Sequence, residues 1–592
     1  MKKNKNQIID IIFMLFLSFA YVIPLFMSKG IYHSVNQDTY FHLSRIIGLD
    51  NVWSSPVNFN NFDHHGTMMN IFYPWLTLYP AFLFYKMMGN LVLGYNIYYF
   101  FITFLTMVVS YFSMKQIKNN RYISLLFSII YTFSAYRAID IFHRASLGEA
   151  VALTFLPLIL MGCYEIYIRD YQKWYWLSIG MTLVVYTHLL SVAMVSVFIG
   201  GTLFLSFYFW DQKIARLLSL LKATALTFFL SAGFLIPFIQ QSRAQELKVP
   251  LGKELSGMAP SDMLTHILNN NYNNYTIGLF LFLGLIGAFI FIKKLTADDL
   301  FIFFLGVFVL FCSTNLFPWQ LFNHTPVKSL QFVWRLNGFS SLFIAYTMSI
   351  VIYYIFSTKN NSWKIMVFTF LALILHLSGV SNSIHANKDS LTLIAPEDAV
   401  AIAENYNHTD YANKESIYHP DMINNDQYLL GNQEINPTTH FMSNKLTIEL
   451  DNSNNKNTVL TTPIYRYKGQ VASINGKLVQ TKLSKFGTTE LTIPPGINKV
   501  VITYQYTKLA IASRYLSIVT LILFLLFLNK NNREEKYNIL TRFLFKKDFL
   551  AVHINRLKSL FLYFFNLLHT LFNIDIYTVK HAFHPLSKYF YR

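Results

Sequence analysis

One short segment of the chain carries a carboxylate, an imidazole and a guanidinium at helical spacing. Asp38, His42 and Arg45 are four and three residues apart, so a helix would place all three on one face. A carboxylate four residues from an imidazole can act as a general base, or Asp38 and His42 can help hold a divalent cation such as Mg²⁺ or Mn²⁺. The alternative interpretation is that Asp38 only caps an interfacial helix, since aspartate is a favoured cap residue.

A second group of ionisable residues lies between Tyr136 and Glu149. Ionisable side chains beside apolar helices are costly unless they are paired or take part in function. We therefore predict that this stretch forms a wall of a substrate cavity. The alternative is an internal ion pair, either Arg144 with Glu149 or Asp140 with Arg144. The predicted substrate-binding residues of the stretch are Tyr136, Arg137, His143, Arg144 and Glu149.

Three other histidines are more typical of structural residues than of ligands. Asp63, His64 and His65 are consecutive and could join a metal site, but two adjacent histidines rarely face one ion. We favour the alternative that they are solvated loop residues. His188 lies at the end of a predicted span, where a satisfied helix histidine is more common than a ligand.

The elements that position these residues are predicted to be membrane helices. Of the 592 residues, 54% are apolar and 13% are charged, whereas soluble proteins carry roughly a quarter charged residues. Apolar runs long enough to cross a bilayer, about 20 residues each, recur along the chain. We predict about twelve spans. Their ranges are 8–27, 91–114, 123–135, 150–168, 174–186, 191–210, 217–239, 277–292, 300–312, 336–356, 365–380 and 509–528.

Lysine and arginine gather in the short loops between the apolar runs, which is the positive-inside pattern. We predict that both termini are cytoplasmic. The net charge of +18 then reflects topology and contact with lipid headgroups, and nucleic-acid binding is not expected. Frequent Asn, Lys, Ile, Tyr and Phe indicate an AT-rich genome, so we predict a multi-pass protein of a bacterial cell membrane.

Two long segments are predicted to lie outside the cell. The first, 28–90, contains a span-like stretch, 71–88, that Pro74 and Pro80 interrupt, so we interpret this stretch as an interfacial helix. The second, 381–508, is predicted to be a β-rich domain because short alternating runs are separated by turn residues. These runs are 445–450, 469–474, 490–493 and 498–504.

The remaining features complete the predicted architecture, which is an α-helical polytopic membrane protein with a small extracytoplasmic β-rich domain. A membrane module covers 1–380, the last span is 509–528, and 529–592 is a cytoplasmic amphipathic tail. Cys163 and Cys312 lie inside apolar runs, which excludes a disulfide framework in the domain.

Several motifs resemble known membrane families. The pattern Asp-x-x-x-His-x-x-Arg-Ile after the first span resembles the external-loop acidic motif of the C-type glycosyltransferase (GT-C) fold. The runs at 73–80, 135–149 and 330–335 resemble the family labelled 6-pyruvoyl-tetrahydropterin synthase-related and the YfhO-like membrane glycosyltransferases. The similarity spans most of 1–380, and the β-rich domain is similar to the YfhO-like end. No pterin chemistry is implied.

The resemblance implies sugar transfer on the outer face of the membrane. The donor would be a polyprenyl-phosphate-linked sugar, and the acceptor a cell-envelope polymer or glycolipid. An inverting transfer needs a base for the acceptor hydroxyl and a cationic site for the departing phosphate. Asp38, with His42, is the predicted catalytic pair, and Arg45 joins the predicted substrate-binding set.

Arg335 is the predicted phosphate-binding residue. It lies beside Gln331 and Trp334 at the predicted outer start of a span, where a guanidinium can hold a phosphate bidentately. The alternative is an interfacial anchor with an aromatic neighbour. Two rival functions stay open, a lipid or polysaccharide transporter and a non-catalytic scaffold whose β-rich domain binds an envelope polymer.

Overall fold

The computed structural model describes residues 2–34, 37–250, 254–356 and 361–534, so most of the predicted tail, 529–592, lies outside the described residues. The described helices are α1 (Lys2–Met27), α2 (Thr39–Ile47), α3 (Met69–Phe72), α4 (Tyr79–Met88), α5 (Leu91–Lys118), α6 (Arg121–Thr132), α7 (Ala135–Ala138), α8 (Leu147–Tyr167), α9 (Tyr175–Val185), α10 (Leu189–Ser206), α11 (Lys213–Ser242), α12 (Pro260–Leu268), α13 (Gly278–Ile290), α14 (Ala297–Cys312), α15 (Leu336–Ile355), α16 (Asn361–Ala386), α17 (Ala399–Glu404), α18 (Pro420–Asn424) and α19 (Lys508–Glu534).

Each predicted span coincides with helical structure, but not every helix is long enough to cross a bilayer. Within the described residues, eight helices have the necessary length and apolar character, and α6 with α7 forms a ninth candidate bent by 45°. The other three predicted spans are the shorter helices α9, α13 and α14. At 1.5 Å per residue these reach roughly 16–24 Å, less than the ~30 Å hydrocarbon layer.

The stretch 71–88 does not form one continuous helix. It is divided into α3 and α4, with extended backbone at Tyr73 and Pro80 in the first turn of α4. Proline has no N–H to donate and restricts the residue before it, so a helix is favoured to restart there. The sequence prediction that this stretch is no ordinary span is consistent with this break.

The C-terminal region contains two antiparallel five-stranded sheets, in the orders β10-β11-β7-β3-β4 and β5-β6-β12-β8-β9. The four predicted alternating runs correspond to β6, β8, β11 and β12, and alternate residues of β12 are buried between the sheets. The strands are β1 (Ile31–His33), β2 (Thr392–Ile394), β3 (Tyr428–Leu430), β4 (Gln433–Ile435), β5 (Thr438–Met442), β6 (Lys445–Asn452), β7 (Thr458–Tyr465), β8 (Gln470–Ile474), β9 (Lys477–Val479), β10 (Lys482–Leu483), β11 (Thr488–Ile493) and β12 (Gly496–Tyr504).

The first long connection, 28–90, is built into this β-rich domain. Strand β1 pairs with β2, and the N–H of Phe59 donates to the carbonyl of Ser443 at 3.2 Å. The apolar core of the domain includes Phe59 and Phe72 from the connection together with residues of both sheets. Helix α2, which begins after Asp38, is therefore held between the domain and the membrane helices.

The two cysteines lie in membrane helices, Cys163 in α8 and Cys312 in α14. Both are free thiols. The prediction that the β-rich domain has no disulfide framework is confirmed.

Candidate active site

Asp38 lies at the N-terminus of α2 and keeps its carboxylate free. The side chain makes no capping hydrogen bond, and no described residue bonds to or pairs with it. Its backbone N–H donates to the carbonyl of Arg144 at 3.0 Å, which fixes the residue against the membrane helices. The side chain is exposed to solvent although protein surrounds it on most sides, so Asp38 lies in a cleft. A capping role for this carboxylate is not seen.

Two arginines and a glutamate form the membrane side of the cleft. Arg144 Nη1 lies 2.8 Å from Glu149 Oε2, and Arg335 Nε lies 3.3 Å from the same oxygen. Arg144 Nη1 also donates to Asp140 Oδ1 at 2.6 Å. Both ion pairs that the sequence suggested as an alternative are therefore present.

The electrostatic surroundings of Asp38 come from this cluster. Burial raises the pKa of the Asp38 carboxyl, the charges of Arg144 and Arg335 lower it, and the charge of Glu149 raises it. The net direction is upward from the usual value for aspartate. A carboxyl with a raised pKa is a stronger base when it is ionised, which suits proton abstraction from a hydroxyl.

Arg335 is oriented by the residues that precede it. Its Nη1 donates to the carbonyl of Leu330 at 2.9 Å and to Gln331 Oε1 at 2.8 Å. Gln331 adopts a left-handed backbone conformation with a φ of 64°, which is uncommon for a non-glycine residue. Within the described residues, Nη2 of Arg335 and Nη2 of Arg144 have no hydrogen-bond acceptor, so both remain available to a ligand.

Trp334 forms the middle of an aromatic stack at the membrane side of the cleft. Its ring centroid lies 4.2 Å from that of Tyr275 and 4.1 Å from that of Phe332. The guanidinium carbon of Arg144 lies 5.9 Å from the Tyr275 ring, and the ring of His143 lies 5.9 Å from Tyr275. The stack thus braces the cationic side of the cleft.

Helix α7, which follows a bend of 45° after α6, and the π-helical turn Ile139–His143 bring the buried members of the cluster together. Tyr136 donates its hydroxyl to Glu149 Oε1 at 2.6 Å, and both side chains are buried. Glu149 thus forms ion pairs with two arginines and accepts a hydrogen bond from a tyrosine. Helical π turns occur often at functional sites.

Two predicted site residues, His42 and Arg45, are buried below the cleft. His42 Nε2 accepts the N–H of Leu147 at 3.2 Å, and burial together with Arg45 holds the pKa of His42 well below its usual range. Arg45 donates to the carbonyl of Pro74 at 2.6 Å and lies 3.9 Å from the Tyr73 ring. Contact between these two side chains and a substrate therefore stays a prediction.

Arg137 is also buried, and its Nη2 donates to Thr103 Oγ1 at 3.1 Å. Its guanidinium lies 5.1 Å from the Tyr21 ring. In the described structure its Nε and Nη1 have no hydrogen-bond partner. The Arg137 side chain is therefore buried between membrane helices, where its contacts are with Thr103 of α5 and Tyr21 of α1.

The residues at the cleft do not fit a divalent cation. No cluster of three or more His, Cys, Asp or Glu side chains that could hold a metal ion occurs in the described ranges. Nε2 of His42 accepts the N–H of Leu147, and its Nδ1 lies 3.3 Å from Arg45 Nη1. Within the predicted pair only the Asp38 carboxylate is therefore free, which is fewer oxygen ligands than Mg²⁺ or Mn²⁺ takes.

The other predicted histidines have separate protein partners. His64 Nδ1 lies 2.6 Å from the carbonyl of Phe59, and His65 Nε2 lies 2.9 Å from Asp426 Oδ1. His65 is buried, so the interpretation as a solvated loop residue is wrong for it. Its packing against the β-rich domain is a long-range contact that no local pattern signals.

Sequence reasoning missed several residues that border the cleft. The Tyr73 hydroxyl lies directly against Gly148, where a Cβ would be 2.1 Å away. His188 interacts electrostatically with Glu149 and Arg335, and its Nδ1 lies 2.8 Å from Ser191 Oγ. Tyr73 belongs to a motif that the sequence singled out, whereas no signal near His188 points to the site.

An apolar cavity leads from this cluster along the membrane helices. A cavity of about 510 Å³ is lined mainly by apolar side chains of α8, α10, α14 and α15. A smaller cavity lined by Glu149 and Arg335 shares Leu156 and Phe339 with it. We call the two together the membrane groove. The pocket nearest the charged cluster has a volume of only about 10 Å³.

The profile of a membrane-protein domain described as 6-pyruvoyl-tetrahydropterin synthase related matches residues 71–387. That is more than half of the chain. The protein belongs to this family of membrane proteins. No curated protein matches the chain. Within the family match lie Arg144, Glu149 and Arg335, whereas Asp38 and the two sheets lie outside it.

Proposed function

We propose that this family member is a membrane glycosyltransferase. It moves a sugar from a polyprenyl-phosphate-linked donor to a cell-envelope polymer or glycolipid on the outer face of a bacterial membrane. The observation that carries the proposal is an accessible carboxylate without a partner, Asp38, opposite two buried arginines at the end of the membrane groove.

The proposed reaction assigns one role to each side of the cleft. The acceptor oxygen attacks the anomeric carbon of the donor sugar, its proton passes to Asp38, and the bond from that carbon to the phosphate oxygen breaks. The free Nη2 atoms of Arg144 and Arg335 bind the departing phosphate, where charge develops. Glu149 holds the two guanidiniums close together by offsetting their repulsion.

The membrane groove supports a donor with a long apolar tail. Three of its four wall helices, α8, α10 and α15, are long enough to cross a bilayer, and its lining is mainly apolar. The pocket lined by Glu149 and Arg335 lies at the end of the groove nearest the cleft and has a volume of about 10 Å³, so a prenyl phosphate would have to widen it to reach Arg335. The chain comes from among the lipid tails, which are as apolar as the groove, so van der Waals packing rather than the hydrophobic effect would hold it there.

Lipid transport is a second candidate, because the far end of the groove is polar. Asp211, Arg216 and Asp298 line the groove there, so a headgroup could bind at either end. A transporter moves its substrate without bond formation and has no use for a general base. Asp38 therefore separates the two candidates.

The test is the Asp38→Asn variant, with envelope polymers and glycolipids examined by mass spectrometry in cells with and without the gene. We expect a glycosyl substituent that depends on the gene, and a rate of transfer in Asp38→Asn that is lower by roughly 10² to 10⁴, the usual contribution of a positioned base. The matched control is Asp50→Asn, because Asp50 is a surface carboxylate paired with Lys86 just beyond α2. Normal glycosylation in Asp38→Asn would contradict the proposal and favour transport or a scaffold.

A further inference from the structure

A loop from the β-rich region packs against α2 beside Asp38. The ring centroid of Tyr406 lies 6.1 Å from that of Tyr40, in an edge-on arrangement. The ring of His408, two residues further on, lies 4.7 Å from that of Phe41. Tyr40 and Phe41 directly follow Asp38 and Thr39 in the chain, so the loop forms a second side of the cleft.

Tyr406 presents a free hydroxyl at this side. The residue is half-buried, and none of the described residues bonds to its phenolic oxygen. Burial raises the pKa of Tyr406, and the charges of Asp38 and Asp410 raise it further. The hydroxyl therefore stays protonated, close to the Asp38 carboxylate, and can donate or accept a hydrogen bond.

The loop is fixed before any ligand binds. Lys248 bonds to Thr409 through its ammonium group, and the same group lies 3.7 Å from Asp410 Oδ1. Backbone hydrogen bonds of 2.7 and 2.9 Å join Lys248 to Tyr411 and Ala412. Tyr40 is held as well, because the His33 ring stacks on it at 3.8 Å. A rigid support of this kind lowers the entropy that binding must overcome.

The two sides of the cleft differ in charge. The membrane side carries Arg144 and Arg335, which pair with Asp140 and Glu149. The Nη2 atoms of the two arginines have no acceptor among the described residues and can donate to a ligand. The loop side carries aromatic rings, and the charge of Lys248 is directed to Asp410. An anionic group is therefore favoured on the membrane side, and a neutral group with apolar faces and hydroxyls on the loop side.

We propose that Tyr406 and Tyr40 form the acceptor subsite, and that the group bound there is a neutral pyranose ring. This inference rests on the proposed transferase function. The C–H face of a pyranose packs on an aromatic ring, and its hydroxyls bond to the Tyr406 phenol and to Asp38. One acceptor hydroxyl then lies at the base, and the phosphate of the donor lies on the opposite side.

The test measures binding of defined sugars to the purified full chain by saturation-transfer NMR. The probes are the methyl glycosides of glucose, galactose and N-acetylglucosamine, with glycerol phosphate as the anionic comparison. We expect ring-proton signals from at least one pyranoside, weakened roughly 10-fold in Tyr406→Leu, where the aromatic face is lost. The leucine keeps an apolar side chain against Tyr40 and His408. The matched control is Tyr418→Leu, because Tyr418 is an exposed tyrosine of the same region.

The outcomes separate this subsite from the transferase itself. Equal pyranoside signals in Tyr406→Leu and wild type, no pyranoside signal, or a Tyr406 dependence seen only for glycerol phosphate would each overturn the subsite. If Tyr406→Leu does not fold, Tyr406→Phe replaces it, and unchanged pyranoside binding after loss of the hydroxyl overturns the subsite.

Cellular glycosylation distinguishes the two failures. Loss of transfer in Asp38→Asn with normal transfer in Tyr406→Leu would reject the subsite and keep the transferase. Binding of a pyranoside through Tyr406 with normal glycosylation in Asp38→Asn would reject the transferase and leave a sugar-binding cleft. Loss of transfer in both variants, with pyranoside binding lost in Tyr406→Leu, supports both proposals.

Discussion

The cluster around Glu149 and the start of α2 meet at one cleft. The carboxylate in the cluster is paired, whereas the carboxylate at the start of α2 is not. In the cluster, the Glu149 carboxylate forms ion pairs with Arg144 and Arg335 and accepts a hydrogen bond from Tyr136. At the start of α2, the Asp38 carboxylate has no described partner and faces solvent. The first region resembles a structural ion-pair network, and the second a group kept free for a ligand.

In the proposed mechanism, this difference separates the residues that hold the site from Asp38, which acts as the base. A buried ion pair adds little net stability over an apolar replacement, but removing one member leaves an uncompensated buried charge. Removing an exposed carboxylate without partners has no comparable cost in folding stability. Loss of Glu149 should therefore damage the fold, and loss of Asp38 should damage only the reaction.

The largest expected effect is that of Glu149→Ala. The change leaves Arg144 and Arg335 buried with fewer partners, and removal of one partner from a buried pair typically costs about 3–5 kcal/mol. Denaturant unfolding of the purified protein measures the loss, with Glu434→Ala as the control because Glu434 is exposed. Equal stability of Glu149→Ala and the wild type would show that the pairs do not support the cleft.

Arg335→Lys should have an intermediate effect, mainly on the donor. Lysine keeps the charge but loses the planar fork that bonds to Leu330 and Gln331 and leaves Nη2 free. Hydrogen bonds to charged groups contribute about 1.5–3 kcal/mol, so the donor KM should rise roughly 10- to 100-fold. Arg243→Lys is the matched control, because Arg243 is exposed. An unchanged donor KM would reduce Arg335 to an anchor.

The smallest expected effect is the contribution of Asp38 to the pH dependence of folding stability. The pKa of Asp38 is raised in the folded protein, so between the usual value for aspartate and the raised value the folded state binds more protons than the unfolded state. Stability therefore falls as pH rises through that window, and Asp38→Asn should not be less stable than the wild type at pH 7.

The same shift predicts the acid limb of the pH profile. In the proposed mechanism Asp38 must be deprotonated to act as the base, so transfer should rise through a pKa above about 3.9, the unperturbed value. Rates measured from pH 3 to 8 check this. A limb at or below the unperturbed value, or a large loss of stability in Asp38→Asn at pH 7, would remove the contrast between the two regions.

Much of the local structure was predictable because it depends on local patterns. The four alternating runs coincide with β6, β8, β11 and β12, and the predicted spans coincide with helices. The pair of Asp140 and Arg144 was also predictable, because residues four apart are neighbours on a helix. The number of full spans was not, because α9, α13 and α14 are shorter than the apolar runs suggested.

The spacing of Asp38, His42 and Arg45 correctly predicted a helix, but it did not predict which of the three side chains are buried. Helix α2 begins at Thr39 with Asp38 as its N-cap residue, and in the described structure the Asp38 carboxylate bonds to neither His42 nor Arg45. His42 and Arg45 are buried against Leu147 and Pro74. Periodicity identifies a shared face, but it does not show which face the rest of the chain covers.

By itself, the sequence determined a membrane protein with apolar helices and a β-rich region, because the length and alternation of apolar runs depend on neighbouring residues alone. Only the tertiary structure decided that Asp38 is free, that Arg144 and Arg335 share Glu149, and that Tyr406 lies beside Tyr40. These residues are separated by up to several hundred positions. Their approach depends on how helices, loops and sheets pack together, and no local pattern carries that information.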